Sequence, residues 1–491
     1  ASAFGMREFG KMIAAAVLGR FVYVCADISS ARNAEEEFSA LGLKTAFMPQ
    51  KDDMLSCAVS RSKDNDFSRL SAAASFLAGN ADVLVATSAA LIELFPPKKE
   101  FLGGALKIER GKEYDLNALS GKLSRLGYER CEQVTARGEF AVRGDILDVW
   151  SIGDERSVRI EFFGDEAESV RAFDPSEQTA RVSLDVARIF PATDVFVPLG
   201  EERKITNKLS AKDKSQRLES VASVTELMFC EGDRSARFSF LLPLCPHESF
   251  GEFFNGEIVV FDDAKSVADN VTVLRSEHLA RLKSLLSGGD TFLFCEKSLY
   301  DCAQTDCGAG LLAFHRVNGN NRLFNPEKLF NFKSADIPDY SRDLPAFAAD
   351  VEMWTRRGYS VSVMCGSSAA REKLRDMFSE LGKGGGAKLF DEFLPHGGTF
   401  FESDAVVVGT LDIGKRTAKK VIKRTGRDAF VLPEVGDYVV HRVHGIGLCE
   451  NICRLNLSGS ERDYVVVVYA GGDRLYLPIE NIDSLSKLVA R

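Results

Sequence analysis

The chain has 491 residues, of which 45% are hydrophobic and 27% charged, and its formal net charge is −9. A chain of this length and ordinary globular composition is expected to form roughly three to five domains. The negative charge excludes a basic field over the whole chain, so any contact with nucleic acid must be local.

The cysteines indicate neither a disulfide framework nor a metal site. Eleven are scattered along the chain without C-x-x-C spacing, and the closest pairs are Cys302/Cys307 and Cys449/Cys453. Neither pair has a His partner at the spacing of zinc ligands. We therefore predict reduced core thiols and no bound metal. With no signal peptide and no apolar run of membrane-spanning length, we expect a cytoplasmic protein that does not bind a membrane.

The first predicted element is an incomplete phosphate-binding loop, GMREFGKM, at the start of the chain. Gly5, Gly10 and Lys11 match the pattern G-x-x-x-x-G-K-[ST], but Met12 stands where Mg²⁺ needs a hydroxyl ligand. Bulky residues fill a turn that should stay open around phosphate. The strand that normally precedes such a loop is expected to be missing or shortened. We interpret the loop as vestigial.

The next segments alternate between helix and strand. FVYVCA predicts a buried strand, SSARNAEEEFSALG an amphipathic helix with serine caps, and DVLVAT a further strand. This order predicts an α/β domain with a parallel sheet over residues 1–108.

A later strand, EIVVFDD, ends in Asp262 and Asp263. In an NTPase such a strand supplies an Asp for Mg²⁺ and a Glu that orients water, and here the second acid is one methylene short. The pattern predicts that residues 191–335 return to the sheet of residues 1–108, which makes residues 109–190 an insertion. The alternative is that both motifs are coincidences in a common α/β fold.

The inserted residues 109–190 change to period-two strands with Gly-Asp turns, which predicts an antiparallel module. In the strand SVRIEFF, Arg159 and Phe163 lie on the charged face, and Arg143 lies on the corresponding face one strand earlier. Two arginines and an exposed aromatic side chain on one face predict a protein-docking hot spot. The alternative is that Phe163 packs under a loop and the arginines are only solvated.

The remaining chain predicts a second small α/β domain (336–412), a basic linker (413–432) and a small C-terminal barrel of short strands (433–491). The linker could contact phosphates of double-stranded DNA, or its charges could simply be solvated. Its cationic residues are Lys415, Arg416, Lys419, Lys420, Lys423, Arg424 and Arg427.

The segment GYERCEQVTARGEFAVRGDILDVWSIGDERSVRIEFFGDEAESVRAFDP resembles the inserted domain shared by UvrB excision-repair proteins and the bacterial transcription-repair coupling factors. The resemblance implies that this module docks onto UvrA. It also implies that Arg143, Arg159 and Phe163 make the contact, the same residues that break the period-two pattern. The host domain then resembles the motor half of UvrB, with a degenerate ATP site.

The run GDYVVHRVHGIG resembles the RNA-polymerase-interacting domain of the coupling factors and of CarD-type regulators. The resemblance implies a Tudor-like barrel that pairs an edge strand with the β subunit of RNA polymerase. The matching strand is about 448–455, with Leu448, Ile452 and Leu455 as contact residues.

The predicted fold is therefore an α/β multidomain chain. It comprises a degenerate RecA-like P-loop domain with an inserted antiparallel α+β module, a second small α/β domain, and a Tudor/SH3-like β-barrel. The resemblance covers nearly the whole chain and implies a monomeric adaptor that binds stalled RNA polymerase and recruits UvrA for transcription-coupled excision repair.

The family's translocase motor should follow the barrel, and the sequence stops at Arg491. The chain is then either an N-terminal portion of such a factor or a protein that has lost the motor. Because its own ATP site is degenerate, we expect a non-catalytic chain without a cofactor. ATP and Mg²⁺ are expected only for the motor, and contact with double-stranded DNA is expected to be weak or to be made through that motor. We also expect the UvrA-facing residues to be open, because the domain that masks them in the family is absent. Two rival functions remain, an active UvrB-type NTPase and a stand-alone CarD-type transcription regulator.

Overall fold

The protein is described from a computed structural model. The described residues are 2–4, 8–51, 55, 64–154, 156–174, 179–198, 200–209, 216–234, 236–300, 310–315, 323–414, 436–441, 445–457, 460–469, 474–478 and 485–487. The backbone divides into two compact units, one of residues 1–59 and 63–415 and one of residues 60–62 and 416–491.

The strands of these residues are β1 Ser2–Phe4, β2 Phe21–Cys25, β3 Thr45–Met48, β4 Val83–Thr87, β5 Leu106–Glu109, β6 Glu129–Arg130, β7 Glu139–Arg143, β8 Ile146–Val149, β9 Ser157–Phe163, β10 Glu166–Asp174, β11 Thr179–Ser183, β12 Val186–Ile189, β13 Ile258–Phe261, β14 Gly310–His315, β15 Leu329–Asn331, β16 Ser334–Asp336, β17 Ser360–Met364, β18 Lys388–Phe390, β19 Gly398–Phe400, β20 Ala405–Val408, β21 Tyr438–His441, β22 Gly445–Leu457, β23 Ser460–Tyr469, β24 Arg474–Pro478 and β25 Leu485–Lys487. The helices are α1 Glu8–Ala16, α2 Ile28–Ala40, α3 Asp64–Leu77, α4 Lys98–Gly103, α5 Leu116–Arg125, α6 Glu202–Thr206, α7 Gln216–Cys230, α8 Phe250–Phe253, α9 Ala264–Gly288, α10 Leu344–Arg356, α11 Ser368–Leu381 and α12 Thr410–Ile413.

A seven-stranded parallel sheet forms the centre of the first unit, in the order β15-β1-β14-β13-β2-β4-β3. Every residue of β2 and β4 is buried, as expected for central parallel strands covered on both faces. Strand β13 pairs with β2, so the strand that ends in the two acids lies in the sheet of the first residues, as its sequence predicts. The strand expected to be missing or shortened before the loop is present as the three residues of β1.

Capping residues set the ends of two predicted helices. Helix α2 begins after Asp27, whose carboxylate accepts a hydrogen bond from the backbone N–H of Ser30, so the cap is an aspartate and not one of the predicted serines. Helix α11 begins after Ser367 and ends at Gly382, where a φ of 58° needs a residue without a Cβ atom.

The inserted module is built on a six-stranded sheet in the order β11-β10-β9-β8-β7-β6. Strands β7 to β11 pair antiparallel, as predicted, whereas β6 pairs parallel with β7. Two hairpin turns lie at the same end of this sheet. Each has a glycine of positive φ as its first central residue, Gly144 at 58° and Gly164 at 62°, followed by aspartate. Strands β5 and β12 pair antiparallel where the chain enters and leaves the module.

The small domain has a mixed five-stranded sheet in the order β16-β19-β20-β17-β18. Strand β17 is parallel to both of its neighbours, and α10 packs against it. Val361, Val363, Val406 and Val408 of its central strands are buried to 1% exposure or less. The prediction of several α/β sheets in one chain is therefore confirmed.

The second unit contains a five-stranded antiparallel sheet in the order β24-β23-β22-β21-β25. Its interior side includes Val439, Cys449, Val465 and Val467, each fully buried. Strand β22 is the longest, and a β-bulge between Cys449 and Asn451 shifts its register with β23.

No helix in the described part of the chain is long and apolar enough to span a membrane. The same residues contain no cluster of His, Cys, Asp and Glu side chains arranged to hold a metal ion.

Candidate functional site: a predicted nucleotide site and two exposed surfaces

The two halves of the predicted nucleotide site meet at the carboxyl end of the parallel sheet. The Lys11 side chain lies in α1 and is fully buried, and its Nζ atom is 3.1 Å from Oδ1 of Asp262. The Tyr23 hydroxyl donates a hydrogen bond of 2.9 Å to the same oxygen. The lysine that would contact a β- or γ-phosphate is thus neutralised by the carboxylate that would bind Mg²⁺.

Met12 and Asp263, the other described side chains of the predicted site, contact groups of the protein itself. Met12 is 4% exposed and packs in an apolar cluster with Phe21, so a core contact has replaced the hydroxyl ligand. Asp263 precedes α9 and accepts a hydrogen bond of 2.7 Å from the Ser266 hydroxyl. Gly10 is buried within α1, and Gly5 lies outside the described residues.

The polar face of the inserted sheet is organised around the buried carboxylate of Asp148. Arg159 donates to it through Nε at 2.7 Å and Nη2 at 2.8 Å, and Arg143 donates through Nη2 at 2.7 Å. These hydrogen bonds are the main reason that the pKa of Arg159 is raised above its usual range. The Arg159 guanidinium also lies over the ring of Phe173, 4.6 Å from its centroid. The arginines on this face are therefore held in fixed positions.

Phe163 lies at the tip of the β9–β10 hairpin and is 78% exposed. The hairpin is braced from one side, because the backbone N–H of Tyr114 donates a 2.7 Å hydrogen bond to the carbonyl of Asp165. Strand β9 buries Val158, Ile160 and Phe162 on its other face. The alternative in which Phe163 packs under a loop is therefore wrong.

The expectation that all three predicted docking side chains are open is wrong for one of them. The side chain of Arg143 is 46% exposed, but that of Arg159 is only 15% exposed. The reason is that Arg159 stands directly opposite Asp148 in the β8–β9 register and forms a two-pronged pair with it. Arg159 thus supports the exposed residues of this face from below.

Leu448 is the one predicted polymerase contact whose side chain is described, and it is 37% exposed. It pairs across the ladder with Tyr438, which is 59% exposed, and on its other side with the half-buried Val468. Together they form an apolar row across three strands. The side chains of Ile452 and Leu455 are not among those described, although their backbone lies in β22 and pairs with β23.

The predicted DNA-contacting cations of the basic linker, Lys415 to Arg427, lie outside the described residues. Of the cysteines with described surroundings, Cys25, Cys245, Cys295, Cys365 and Cys449 are buried thiols, as predicted, whereas Cys131 is half-buried and Cys230 is exposed.

Three residues of these sites were missed by the sequence reasoning. Asp148 could have been recognised from the sequence, because it is an acid inside an apolar strand, ILDV, with arginines in both neighbouring strands. Tyr23 had a weaker one, since a buried tyrosine hydroxyl needs a partner. Tyr438 gave none, because its exposure depends on the register between β21 and β22.

Two family models match this chain. The UvrB interaction domain matches residues 106–195, and the CarD-like/TRCF RID domain matches residues 434–489. The first includes the whole Asp148-centred face and Phe163, and the second includes the Tyr438–Leu448 row.

Curated relatives match the chain over most of its length at low identity. The transcription-repair-coupling factor of Bacillus subtilis is 22% identical over 444 residues, which cover 84% of this chain and 38% of the relative. That of Borreliella burgdorferi is 23% identical over 84% of this chain and 36% of its own length. That of a bovine Staphylococcus aureus strain is 23% identical over 77% of this chain and 35% of its own length. The chain thus resembles these factors over most of its own length, and it spans little more than a third of theirs.

Proposed function

We propose that this chain, a relative of the transcription-repair-coupling factors, is an adaptor that connects RNA polymerase to UvrA in the bacterial cytoplasm. The inserted module supplies the UvrA-binding surface, and the second unit supplies the surface for the β subunit of polymerase. The nucleotide site takes no part in either contact.

The exposure of Phe163 is the observation that carries the UvrA proposal. A large aromatic side chain that is 78% exposed on a braced hairpin gains free energy when a partner buries it. It lies on the same sheet face as Arg143, and aromatic and arginine side chains dominate the energetics of protein interfaces. Both residues fall inside the matched UvrB interaction domain.

The apolar row of Tyr438 and Leu448 supports the polymerase proposal. Among the described residues, strand β22 pairs with β21 and the two residues before it as far as Cys449, whereas its pairing with β23 runs to Leu457. A partner strand that pairs with the later residues of β22 would contact the apolar row of Tyr438 and Leu448 at the end of the new pairing. In this strand-addition mode, Ile452 and Leu455 lie along the contact with the partner strand.

The ion pair of Lys11 and Asp262 argues against the rival NTPase function. A nucleotide that entered would have to break this buried ion pair, and Met12 offers its Mg²⁺ no hydroxyl ligand. We therefore expect no saturable binding of Mg-ATP to this chain.

The UvrA proposal is tested by the substitution Phe163→Ala. Because Phe163 contacts mainly solvent in the free chain, the variant is expected to fold normally and to bind immobilised UvrA about tenfold or more weakly. Interferometry with the whole chain gives the affinity, and a thermal melt checks the fold. The matched control is Val17→Ala, which shortens a side chain that is 81% exposed far from the module in sequence. Equal affinities of wild type and Phe163→Ala would contradict the proposed surface.

A further inference from the structure

We propose that Asp148 is the positioning residue of the docking face, which orders the two arginines before a partner arrives. This inference rests on the proposed UvrA-binding function and adds to it a residue that does not itself touch the partner. Asp148 is 1% exposed, so it acts only through the side chains above it.

Both oxygens of the Asp148 carboxylate are used. Oδ1 accepts the Nε–H of Arg159, while Oδ2 accepts one N–H from Arg159 and one from Arg143. One carboxylate therefore connects arginines on two strands, β7 and β9, that both neighbour its own strand β8. The mostly buried Arg159 packs against the ring of Phe173, whereas Arg143 lies closer to the solvent, with 46% of its side chain exposed.

This arrangement lowers the entropic cost of binding. An arginine side chain that is free in solution loses rotamer freedom when a partner fixes it, and that loss weakens the complex. Here part of that loss has already occurred during folding, because the buried carboxylate accepts two hydrogen bonds from Arg159 and one from Arg143. The Arg143 side chain is thus restrained on the sheet face that also carries the exposed ring of Phe163.

The charges of the face define the chemistry of the partner. Two guanidinium groups share one carboxylate, so the cluster keeps one positive charge at its exposed side. Glu161 and Arg171 flank it on the same face and form their own loose pair at 3.7 Å. The face is therefore suited to a carboxylate of the partner placed next to an apolar pocket that receives Phe163.

The test is a double-mutant cycle on UvrA binding by the whole chain. In the wild-type background, Asp148→Asn removes the charge but keeps the shape, and we expect about tenfold weaker binding. In the background Arg143→Ala/Arg159→Ala, the same substitution is expected to change binding less than twofold, because no arginine is left to position. A merely structural role of Asp148 would weaken binding equally in both backgrounds, and that result would overturn the inference.

Ser169→Ala is the matched control. It removes a 2.6 Å hydrogen bond to Glu161 on the same face without touching Asp148, and its binding should equal that of wild type. Thermal melts identify variants that are folded at the assay temperature. If Asp148→Asn is not folded there, Asp148→Glu replaces it in the cycle. Glu keeps the charge and moves the carboxylate by one methylene, so weaker binding supports the inference and wild-type binding overturns it.

The outcomes separate this inference from the function on which it rests. If Phe163→Ala and Arg143→Ala both bind UvrA like wild type, the docking surface itself is wrong. If those two variants lose binding while folded Asp148→Asn keeps wild-type affinity, only the positioning role is wrong.

Discussion

At the scale of single residues, period-two alternation located the exposed aromatic side chain but not its support. Phe163 was predictable because it breaks the alternation of β9, and its exposure of 78% confirms that reading. The burial of Arg159 was not predictable from its own strand, because it depends on a carboxylate in β8 that the register places opposite it. A sequence shows which side chains are charged, but the pairing between strands decides which group neutralises each of them.

The buried lysine of the vestigial nucleotide site gives a prediction about stability. Lys11→Ala leaves the Asp262 carboxylate buried without its cation, and removal of one partner from such a pair costs about 3–5 kcal/mol. The first unit should therefore melt at a clearly lower temperature, as measured by calorimetry. The exposed Lys99 is the matched control, and Lys99→Ala should leave the melting temperature unchanged.

A second variant shows whether charge is the cause of that loss. Lys11→Met/Asp262→Asn removes both charges and keeps an acceptor for the Tyr23 hydroxyl. Since a buried ion pair can be replaced by neutral groups of similar volume at little cost, this double variant should be more stable than Lys11→Ala. A double variant that melts lower than the single one would contradict the ion-pair account.

At the scale of elements, the sequence predicted which segments share a sheet better than where an edge lies. The return of β13 to the first sheet followed from its apolar run and terminal acids, and the pairing of Ile258 with Phe21 bears this out. The parallel pairing of β6 and β7 was not predicted, because both strands are short and the segment that connects them has no diagnostic turn. Likewise, the row formed by Tyr438 and Leu448 exists only through strand register.

That row leads to a prediction for strand β22. Leu448→Asp places a charge within the apolar row and should weaken binding of the chain to RNA polymerase about tenfold or more, while UvrA binding stays unchanged. Interferometry with immobilised core polymerase measures the effect. The control is Val224→Asp, at a residue of α7 that is 48% exposed in the first unit. Polymerase affinity that is equal for Leu448→Asp and wild type would rule out this row as the contact.

At the scale of the whole molecule, the two proposed surfaces belong to different compact units of one chain. The matched domains fall in the same division, residues 106–195 in the first unit and 434–489 in the second. The proposed adaptor needs two distinct surfaces, because each partner must be bound without occupying the surface of the other. The buried pair of Lys11 and Asp262 is consistent with the proposed role in connecting partners.

The most direct measurement of this central claim is a bridging assay with immobilised RNA polymerase, UvrA in solution, and the chain added last without ATP. We expect UvrA to be retained only when the chain is present. Phe163→Ala should then lose UvrA while the chain itself stays on polymerase, and removal of residues 433–491 should lose both. UvrA that is not retained with the wild-type chain, or that is retained equally with Phe163→Ala, would contradict the account.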